Sequence, residues 1–224
     1  KVLTKIKGPK AKSVSFRKGM QELVNALAAS INGNIHLNYP GPFKLEPNTI
    51  ITTDAHTAAV FLQDYPTAAK PLSSIQYLPI ASATLHSSIR LPWSESGFGV
   101  LFPKSQAFNT LGCLFNHSIF PGRIQQRAQT SMTFIMSGVP DAEKAVAQDL
   151  SHMDCPQGDL YQKYFHYPLG LPLYNEARWS AIQALHQSKA LPNSTVLFGN
   201  YVAGISLRDM INAASSFAKD LGVE

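Results

Sequence analysis

The stretch TVLFGNYVAGISLRDMI, residues 195–211, indicates the fold more directly than any other part of the sequence. Residues 195–198 predict a short buried strand, and GNYVAG at 199–204 predicts a tight loop. Ser206 can cap a helix over about 207–221, with Asp209 at its third position. The first N–H groups of that helix lack helical partners and favour negative charge. The stretch therefore predicts either a cradle for an anionic or dipolar ligand or a well-capped turn that uses glycine for its geometry.

Helical and strand patterns continue outward from this unit. Apolar spacing predicts helices over about 19–31, 54–63, 141–151 and 176–187. Short β-prone runs predict strands at 35–37, 49–53, 81–89, 98–102, 110–116, 129–137 and 161–167. The β-to-α step near residue 50 indicates an α/β layer. The closely spaced strands in the middle of the chain favour an antiparallel sheet.

Composition and charge narrow the classes of function. The chain has 224 residues, of which 45% are hydrophobic and 15% charged, which is enough for a core. No apolar run is long enough to predict a membrane-spanning helix. Seven of the 19 basic residues precede the first acidic residue, Glu22. We therefore predict a basic linker over residues 1–13 and a nearly neutral body, which argues against a nucleic-acid partner. An anionic membrane surface is the alternative partner of the basic segment.

The sequence contains no motif typical of a metal site or of a hydrolase active site. The seven histidines have no metal-ligand spacing, and no Gly-x-Ser-x-Gly or Walker motif occurs. We therefore expect no metal site. Cys113 and Cys155 form no Cys-x-x-Cys pair and are expected to be reduced, partly buried thiols. The chain begins with Lys1 and shows no signal-peptide pattern, so we expect a trimmed, cytoplasmic fragment, with peripheral membrane contact as the alternative.

Five segments, taken together and in order, resemble the protoporphyrinogen oxidase family of the flavin amine oxidase superfamily. They are SFRKGMQEL (15–23), GFGVLFP (97–103), LGCLFNHSIFPGR (111–123), LPLY (171–174) and GNYVAGISLRDMI (199–211). The resemblance extends over about residues 14–218. The chain resembles the C-terminal half of these enzymes, because it lacks the N-terminal Gly-x-Gly-x-x-Gly unit that would bind the FAD pyrophosphate.

The resemblance implies a fold of the α/β plus antiparallel β class. Residues 14–69 and 171–224 would form a partial FAD-binding domain of the glutathione-reductase-like type. Residues 70–170 would form an inserted mixed-sheet substrate-binding domain. We expect the chain to cross this boundary twice, with Ile51 and Val196 in one layer.

The resemblance also implies the site residues. The cofactor-binding residues would be Gly199, Asn200, Tyr201, Gly204, Ile205, Ser206 and Phe43, with FAD as the cofactor. The substrate-binding residues would be Phe98, Leu101 and Ile135, against a flat tetrapyrrole. The residues themselves leave an alternative open, because Phe98, Leu101, Phe134 and Ile135 could equally be ordinary core. The family needs no obvious side-chain acid or base in this half, because the flavin accepts the hydride.

The implied activity is oxidation of protoporphyrinogen IX to protoporphyrin IX in porphyrin and heme biosynthesis, with a coproporphyrinogen as the alternative substrate. The missing N-terminal half of the parent would be a partner, and this chain alone is expected to be inactive and to bind FAD weakly or not at all. Ala177 and Arg178 stand where a Gly-His pair is common in the family, and Met210 stands at a frequent cysteine. A second interpretation is a non-catalytic globular binding module that kept the substrate-domain fold and lost FAD.

Overall fold

A computed structural model describes residues 15–39, 43–91, 97–120, 122–124, 129–155, 160–187, 190–192 and 194–222. The predicted basic linker, 1–13, lies outside these ranges. The chain divides into two compact units, residues 1–41 and 42–224. In the first unit, helix α1 spans Gln21–Ser30 and none of its residues is buried. The strand predicted at 35–37 does not form, and Leu37 is 81% exposed.

The second unit contains a small parallel sheet assembled from distant parts of the chain. Strand β1 (Ile50–Ile51) pairs in parallel with β7 (Val196–Leu197), with Ile50 opposite Val196. Helices α2 (Ala55–Phe61), α3 (Pro66–Ser73) and α6 (Glu176–Gln187) contribute to the same core. The four-residue helix α7 (Asn200–Ala203) and the 14-residue helix α8 (Leu207–Asp220) follow β7. This β–loop–α order is the one predicted from residues 195–211.

A larger sheet forms the second part of this unit. It contains β2 (Tyr77–Ser87), β3 (Gly99–Leu101), β4 (Gly112–Phe115), β5 (Thr130–Ser137) and β6 (Leu160–Pro172) in the order β3-β4-β5-β2-β6. All four pairings are antiparallel, so this sheet is antiparallel and not the mixed sheet expected. Strands β3, β4 and β5 are neighbours in both the chain and the sheet, whereas the connections from β2 to β3 and from β5 to β6 pass over intervening strands.

One face of the large sheet is covered and the other is open. Val146 and Leu150 of helix α5 (Ala142–His152) lie in one buried core with Met132 and Phe134 of β5. The short helix α4 (Asn116–Ile119) follows β4. Inward residues alternate with partly exposed ones along β2 and β5, as expected for a sheet with one covered face. The opposite face is only partly buried, and Asn116 of α4 donates a hydrogen bond to Thr133 Oγ1 on it at 2.8 Å.

The α/β plus antiparallel β class is confirmed, whereas the predicted domain boundaries remain a prediction. Ile51 and Leu197 share one core, as expected for a discontinuous domain. That core also contains Leu72 and Ile75, which lie beyond the predicted boundary at residue 69. Helix α3, which carries Leu72, was not predicted, because Pro66 and Pro71 obscure its helical pattern; Pro66 is tolerated at the first helical position.

Candidate functional site

The loop after β7 reverses the chain between the small sheet and α8. Gly199 precedes the single-turn helix α7, and Gly204 follows it with φ +118°. The Ser206 hydroxyl accepts a hydrogen bond from the backbone N–H of Asp209 at 3.1 Å, which confirms the predicted N-cap of α8. Ile205 and Ser206 are exposed beside the N-terminus of this helix. The positive end of the α8 helix dipole is therefore accessible to a ligand beside this loop.

Gly204 is required by the fold itself. A Cβ atom at this position would lie 2.7 Å from Cβ of Asp209 and 3.1 Å from its Oδ2. Gly204 was predicted as a cofactor-binding residue, but the space beside its Cα atom is occupied by the first turn of α8. The glycine therefore allows the loop to lie directly against the helix that follows it.

Tyr201 belongs to the core. Its side chain is fully buried, and its hydroxyl has no hydrogen-bond partner among the described residues. Burial raises the pKa of Tyr201 strongly, and the nearby Tyr77 and Asp54 raise it further. Tyr201, predicted as a cofactor-binding residue, therefore anchors the loop to the small-sheet core through its side chain, and only its backbone could contribute to a site.

The carbonyl groups of α7 are bonded within the protein. The Tyr174 hydroxyl donates to the carbonyl of Asn200. The Arg178 guanidinium donates from Nε to the carbonyl of Tyr201 at 2.7 Å. Sequence reasoning named neither Tyr174 nor Arg178 as a site residue. The available signal was an arginine at a position where the resembled family commonly has a Gly-His pair.

Phe43 has a described partner outside the loop. Its ring stacks on Phe61 of α2, with ring centroids 4.3 Å apart, and it stays partly exposed. This stacking fixes Phe43 on the helix that follows β1. No described contact joins Phe43 to residues 199–206, so the structure does not group it with the other predicted cofactor residues.

Two of the predicted substrate residues share one row across the open face of the large sheet. Leu101 pairs with Gly112, Gly112 with Ile135, and Ile135 with Ser82. Directly paired residues project from the same face of a sheet, so Leu101 and Ile135 lie on one face. Gly112 adds no side chain between them, and a Cβ there would come within 3.2 Å of the Leu101 side chain. We call this row, which continues from Ser82 to Phe165 of β6, the cross-strand row.

Burial distinguishes the two interpretations of Phe98, Leu101, Phe134 and Ile135, which were a substrate surface or ordinary core. Phe134 is fully buried in the core beneath α5. Leu101 is 85% exposed and Phe98 is 69% exposed, whereas Ile135 is partly buried. Phe98 immediately precedes β3, and its carbonyl accepts a hydrogen bond from the N–H of Phe115 at 3.0 Å. Leu101 and Phe98 are therefore surface residues and contribute little to the core.

Cavities elsewhere in the second unit do not include the predicted residues. Three of them have volumes of about 820, 330 and 230 Å³. They are lined by residues of α2 and α3, by residues near Gly138 and Pro168, and by residues around Leu185 and Leu197, respectively. The third cavity is lined in part by Val202, which belongs to the candidate cofactor loop.

A buried carboxylate holds the connection between β3 and β4. Asp149 of α5 is fully buried and accepts hydrogen bonds from the backbone N–H groups of Asn109 and Thr110, each at 2.9 Å. The side chain of Asn109 donates a further bond at 3.1 Å. Asp149 therefore fixes the hairpin that carries Leu101. Sequence reasoning missed it, because an aspartate in an amphipathic helix is ordinarily solvated.

Within the described ranges, no group of three or more His, Cys, Asp or Glu residues could hold a metal ion. None of the described helices combines the length and the apolar character needed to cross a membrane. Cys113 and Cys155 are both buried, and neither forms a disulfide bond.

Comparisons with known proteins give a consistent family relationship. No protein-family model matches the chain. It is 26% identical over 257 residues to protoporphyrinogen oxidase 1, chloroplastic, of Spinacia oleracea, covering 95% of this chain and 46% of the relative. It is 26% identical over 261 residues to the chloroplastic protoporphyrinogen oxidase of Nicotiana tabacum, covering 95% and 47%. The chain thus spans about half the length of the curated relatives it matches, and the predicted resemblance is confirmed.

Solved structures support the fold. A structure from Exiguobacterium sp. 255-15, named "Putative protoporphyrinogen oxidase", aligns with a TM-score of 0.59 at 14% identity, over 77% of this chain and 40% of that one. Reduced UDP-galactopyranose mutase aligns with a TM-score of 0.60 at 11% identity, over 78% and 41%. At these identities the comparison concerns the fold alone.

Proposed function

We propose that this chain is the C-terminal half of an FAD-dependent enzyme that oxidises protoporphyrinogen IX to protoporphyrin IX in porphyrin and heme biosynthesis. The sequence similarity to protoporphyrinogen oxidases over 95% of the chain supports this assignment. The structural observation that carries it is the cross-strand row. Leu101 and Ile135 lie on one open face of an antiparallel sheet, separated by a glycine.

The cross-strand row suits a flat, apolar macrocycle. A tetrapyrrole presents a broad apolar face with acidic substituents at its edge, so it needs a level surface with few projecting side chains. Gly112 lowers the surface between Leu101 and Ile135, and the exposed Leu101 would lose much of its water-accessible area on contact. Burial of apolar surface stabilises such a complex by about 25 cal/mol per Å² removed from water.

The residues after β7 fit one edge of a flavin through their backbone. When bound, FAD would supply the acceptance of a hydride from the substrate. Ile205 and Ser206 are exposed at the N-terminus of α8, where unpaired N–H groups and the helix dipole favour a negatively polarised atom. The backbone of Gly199, Asn200 and Gly204 would set the path of this edge. In this proposal Tyr201 fixes the loop from below, and Phe43 would contact the adenine side of the cofactor.

This half of the site should bind FAD poorly by itself. The chain has the loop at residues 199–206 but no Gly-x-Gly-x-x-Gly turn for the pyrophosphate. Loss of those contacts should weaken binding by several factors of ten, each worth about 1.4 kcal/mol. The missing half, supplied by a second polypeptide or by the remainder of a longer protein, would restore it.

The alternative proposal is a non-catalytic binding module that kept this fold without FAD. One observation favours it, because Tyr201, a predicted cofactor-binding residue, is fully buried in the core. A module of this kind would use the cross-strand row as a docking surface for an apolar ligand.

Complementation separates the two proposals. The chain would be co-expressed with the N-terminal half of the Spinacia oleracea enzyme, and the purified material assayed for flavin absorbance and for porphyrin fluorescence from protoporphyrinogen. We expect flavin and fluorescence from the pair and neither from the chain alone. A folded pair without flavin or fluorescence would support the binding module, and stoichiometric flavin in the isolated chain would contradict the half-site.

A matched pair of substitutions tests the substrate face. Leu101→Asp places a charge on the cross-strand row, whereas Leu37→Asp places one at a similarly exposed leucine in the other unit. Both variants should fold, because each leucine is more than four-fifths exposed. Only Leu101→Asp should weaken porphyrin binding or turnover in the complemented pair, by about 10-fold or more.

A further inference from the structure

We infer that Arg178 is a positioning residue that, with Tyr174, holds the 199–204 loop in one conformation. We call these two side chains the carbonyl clamp. The inference rests on the proposed function for its consequence, although the clamp itself is visible in the fold. Arg178 projects from the first turns of α6, and Tyr174 lies just before this helix.

The clamp donates hydrogen bonds to three consecutive carbonyl groups of α7. The Tyr174 hydroxyl donates to the carbonyl of Asn200. Arg178 donates from Nε to the carbonyl of Tyr201 at 2.7 Å and from Nη2 to that of Val202 at 3.4 Å. A helix of four residues cannot satisfy these carbonyls internally, because the last four carbonyls of any helix lack partners. The planar fork of arginine can serve two of them from one side chain.

The clamp is itself held in place. The guanidinium carbon of Arg178 lies 3.9 Å from the centre of the Tyr174 ring, which is a close cation–π geometry. The side chain of Asn175 accepts the backbone N–H of Arg178 at 3.0 Å and donates to Oε1 of Gln76 at 3.1 Å. The loop is therefore connected through α6 to residue 76, which immediately precedes β2.

The clamp determines which side of the loop faces solvent. The α7 carbonyls bond toward α6. The exposed residues that follow the loop are therefore Ile205 and Ser206, at the N-terminus of α8. A mobile loop would have to be ordered each time a ligand bound, at a cost in conformational entropy. The clamp removes part of this cost in advance, which is the role of a positioning residue.

Amide hydrogen exchange tests the clamp without any cofactor. Arg178→Ala should increase exchange at Val202 and Ala203, whose N–H groups bond to the carbonyl of Gly199 at 3.0 and 2.9 Å. The expected increase is about 10-fold or more, with the amides of β2 and β5 unchanged. Lys219→Ala, which removes a charge from an exposed lysine in the last turn of α8, should leave the loop unchanged and is the matched control.

Arg178→Lys examines the geometry of the clamp. Lysine keeps the charge and can reach one carbonyl, but it lacks the planar fork, so exchange should lie between wild type and Arg178→Ala. Wild-type exchange in Arg178→Ala, or an equal rise in β2 and β5, would overturn the inference. Wild-type exchange in Arg178→Lys would also overturn it, because the fork would then be unnecessary.

A second measurement keeps this result distinct from the proposed function. The wild-type chain, Arg178→Ala and Lys219→Ala would each be titrated with FAD in the complemented pair. The dissociation constant would be measured by flavin fluorescence. We expect Arg178→Ala to weaken FAD binding by about 10-fold and Lys219→Ala to leave it unchanged. If the pair binds no FAD while loop exchange still depends on Arg178, the proposed function fails and the clamp stands. Unchanged FAD affinity in Arg178→Ala would overturn the positioning role.

Discussion

Replacement of Gly204 by alanine should destabilise the second unit more than glycine conformation alone would require. Gly204 has φ +118° and ψ 159°, a region that residues with a Cβ atom rarely occupy. That conformation costs about 1–3 kcal/mol. The new Cβ would also lie 2.7 Å from Cβ of Asp209, so the start of α8 must move. We expect the free energy of unfolding to fall by about 3 kcal/mol in total.

Gly138→Ala is the control that separates these two contributions. Gly138 has φ +67°, and a Cβ there would have nothing within 4 Å. Its substitution should cost about 1 kcal/mol, from the positive φ alone. Urea unfolding followed by circular dichroism would give both values, provided that the dependence on urea is unchanged. A loss at Gly204 no greater than the loss at Gly138 would refute the steric argument.

The Gly204 result also determines how flavin data should be interpreted. Because the fold needs this glycine, loss of FAD in a Gly204 variant would follow from the altered loop even without direct contact. Evidence for contact must come from a position that the loop does not need. Ile205 is such a position, because its side chain is about half exposed.

Three further outcomes follow from buried or hydrogen-bonded groups. Asp149→Asn should lower the free energy of unfolding by about 3 kcal/mol, because the asparagine NH2 group would face the backbone N–H of Asn109 or of Thr110, and two donors cannot bond. Lys144→Ala, at an exposed position of the same helix, should change it by less than about 0.5 kcal/mol, and equal losses would contradict the argument. Burial raises the pKa of Cys113 to about 12 and also raises that of Cys155, so alkylation near pH 8 should be about 100-fold slower in the native protein than in urea. Rapid native labelling would show that the thiols are accessible. Burial opposes ionisation of Asp54, but its hydrogen bonds to Thr57 outweigh burial and lower its pKa below 3.8. The stabilisation of the fold by ionised Asp54 is therefore present above that pH and is lost as the pH falls through the lowered pKa. Asp54→Asn should remove this part of the acid sensitivity of unfolding, and an unchanged pH profile would exclude the effect.

Local patterns predicted most elements of the second unit correctly. The helix predicted over 176–187 is observed as Glu176–Gln187, and the strand predicted over 129–137 is observed as Thr130–Ser137. These segments have clear periodicity and clear ends, so neighbouring residues contain the information. The strand predicted at 35–37 fails because a β-strand needs a partner, and residues 35–37 pair with no described strand.

The candidate site was predicted less completely than the fold. The sequence located the loop at 199–206 and its Ser206 cap, which depend on residues close together in the chain. It assigned Tyr201 to the cofactor, whereas the side chain is buried in the core. It also missed the bonds from Arg178, because the partners are 23 and 24 residues away and no local pattern records them.

The sequence by itself determined the element types, the capped β–loop–α unit near the C-terminus and the family resemblance, because these depend on short-range periodicity and ordered motifs. Only the tertiary structure decided that β1 pairs with β7, that Leu101 and Ile135 lie in one row, and that Gly204 lies against Asp209. Strand register and side-chain burial are set by contacts between residues far apart in the chain. Such contacts are selected by the packing of the whole core, and no single segment specifies them.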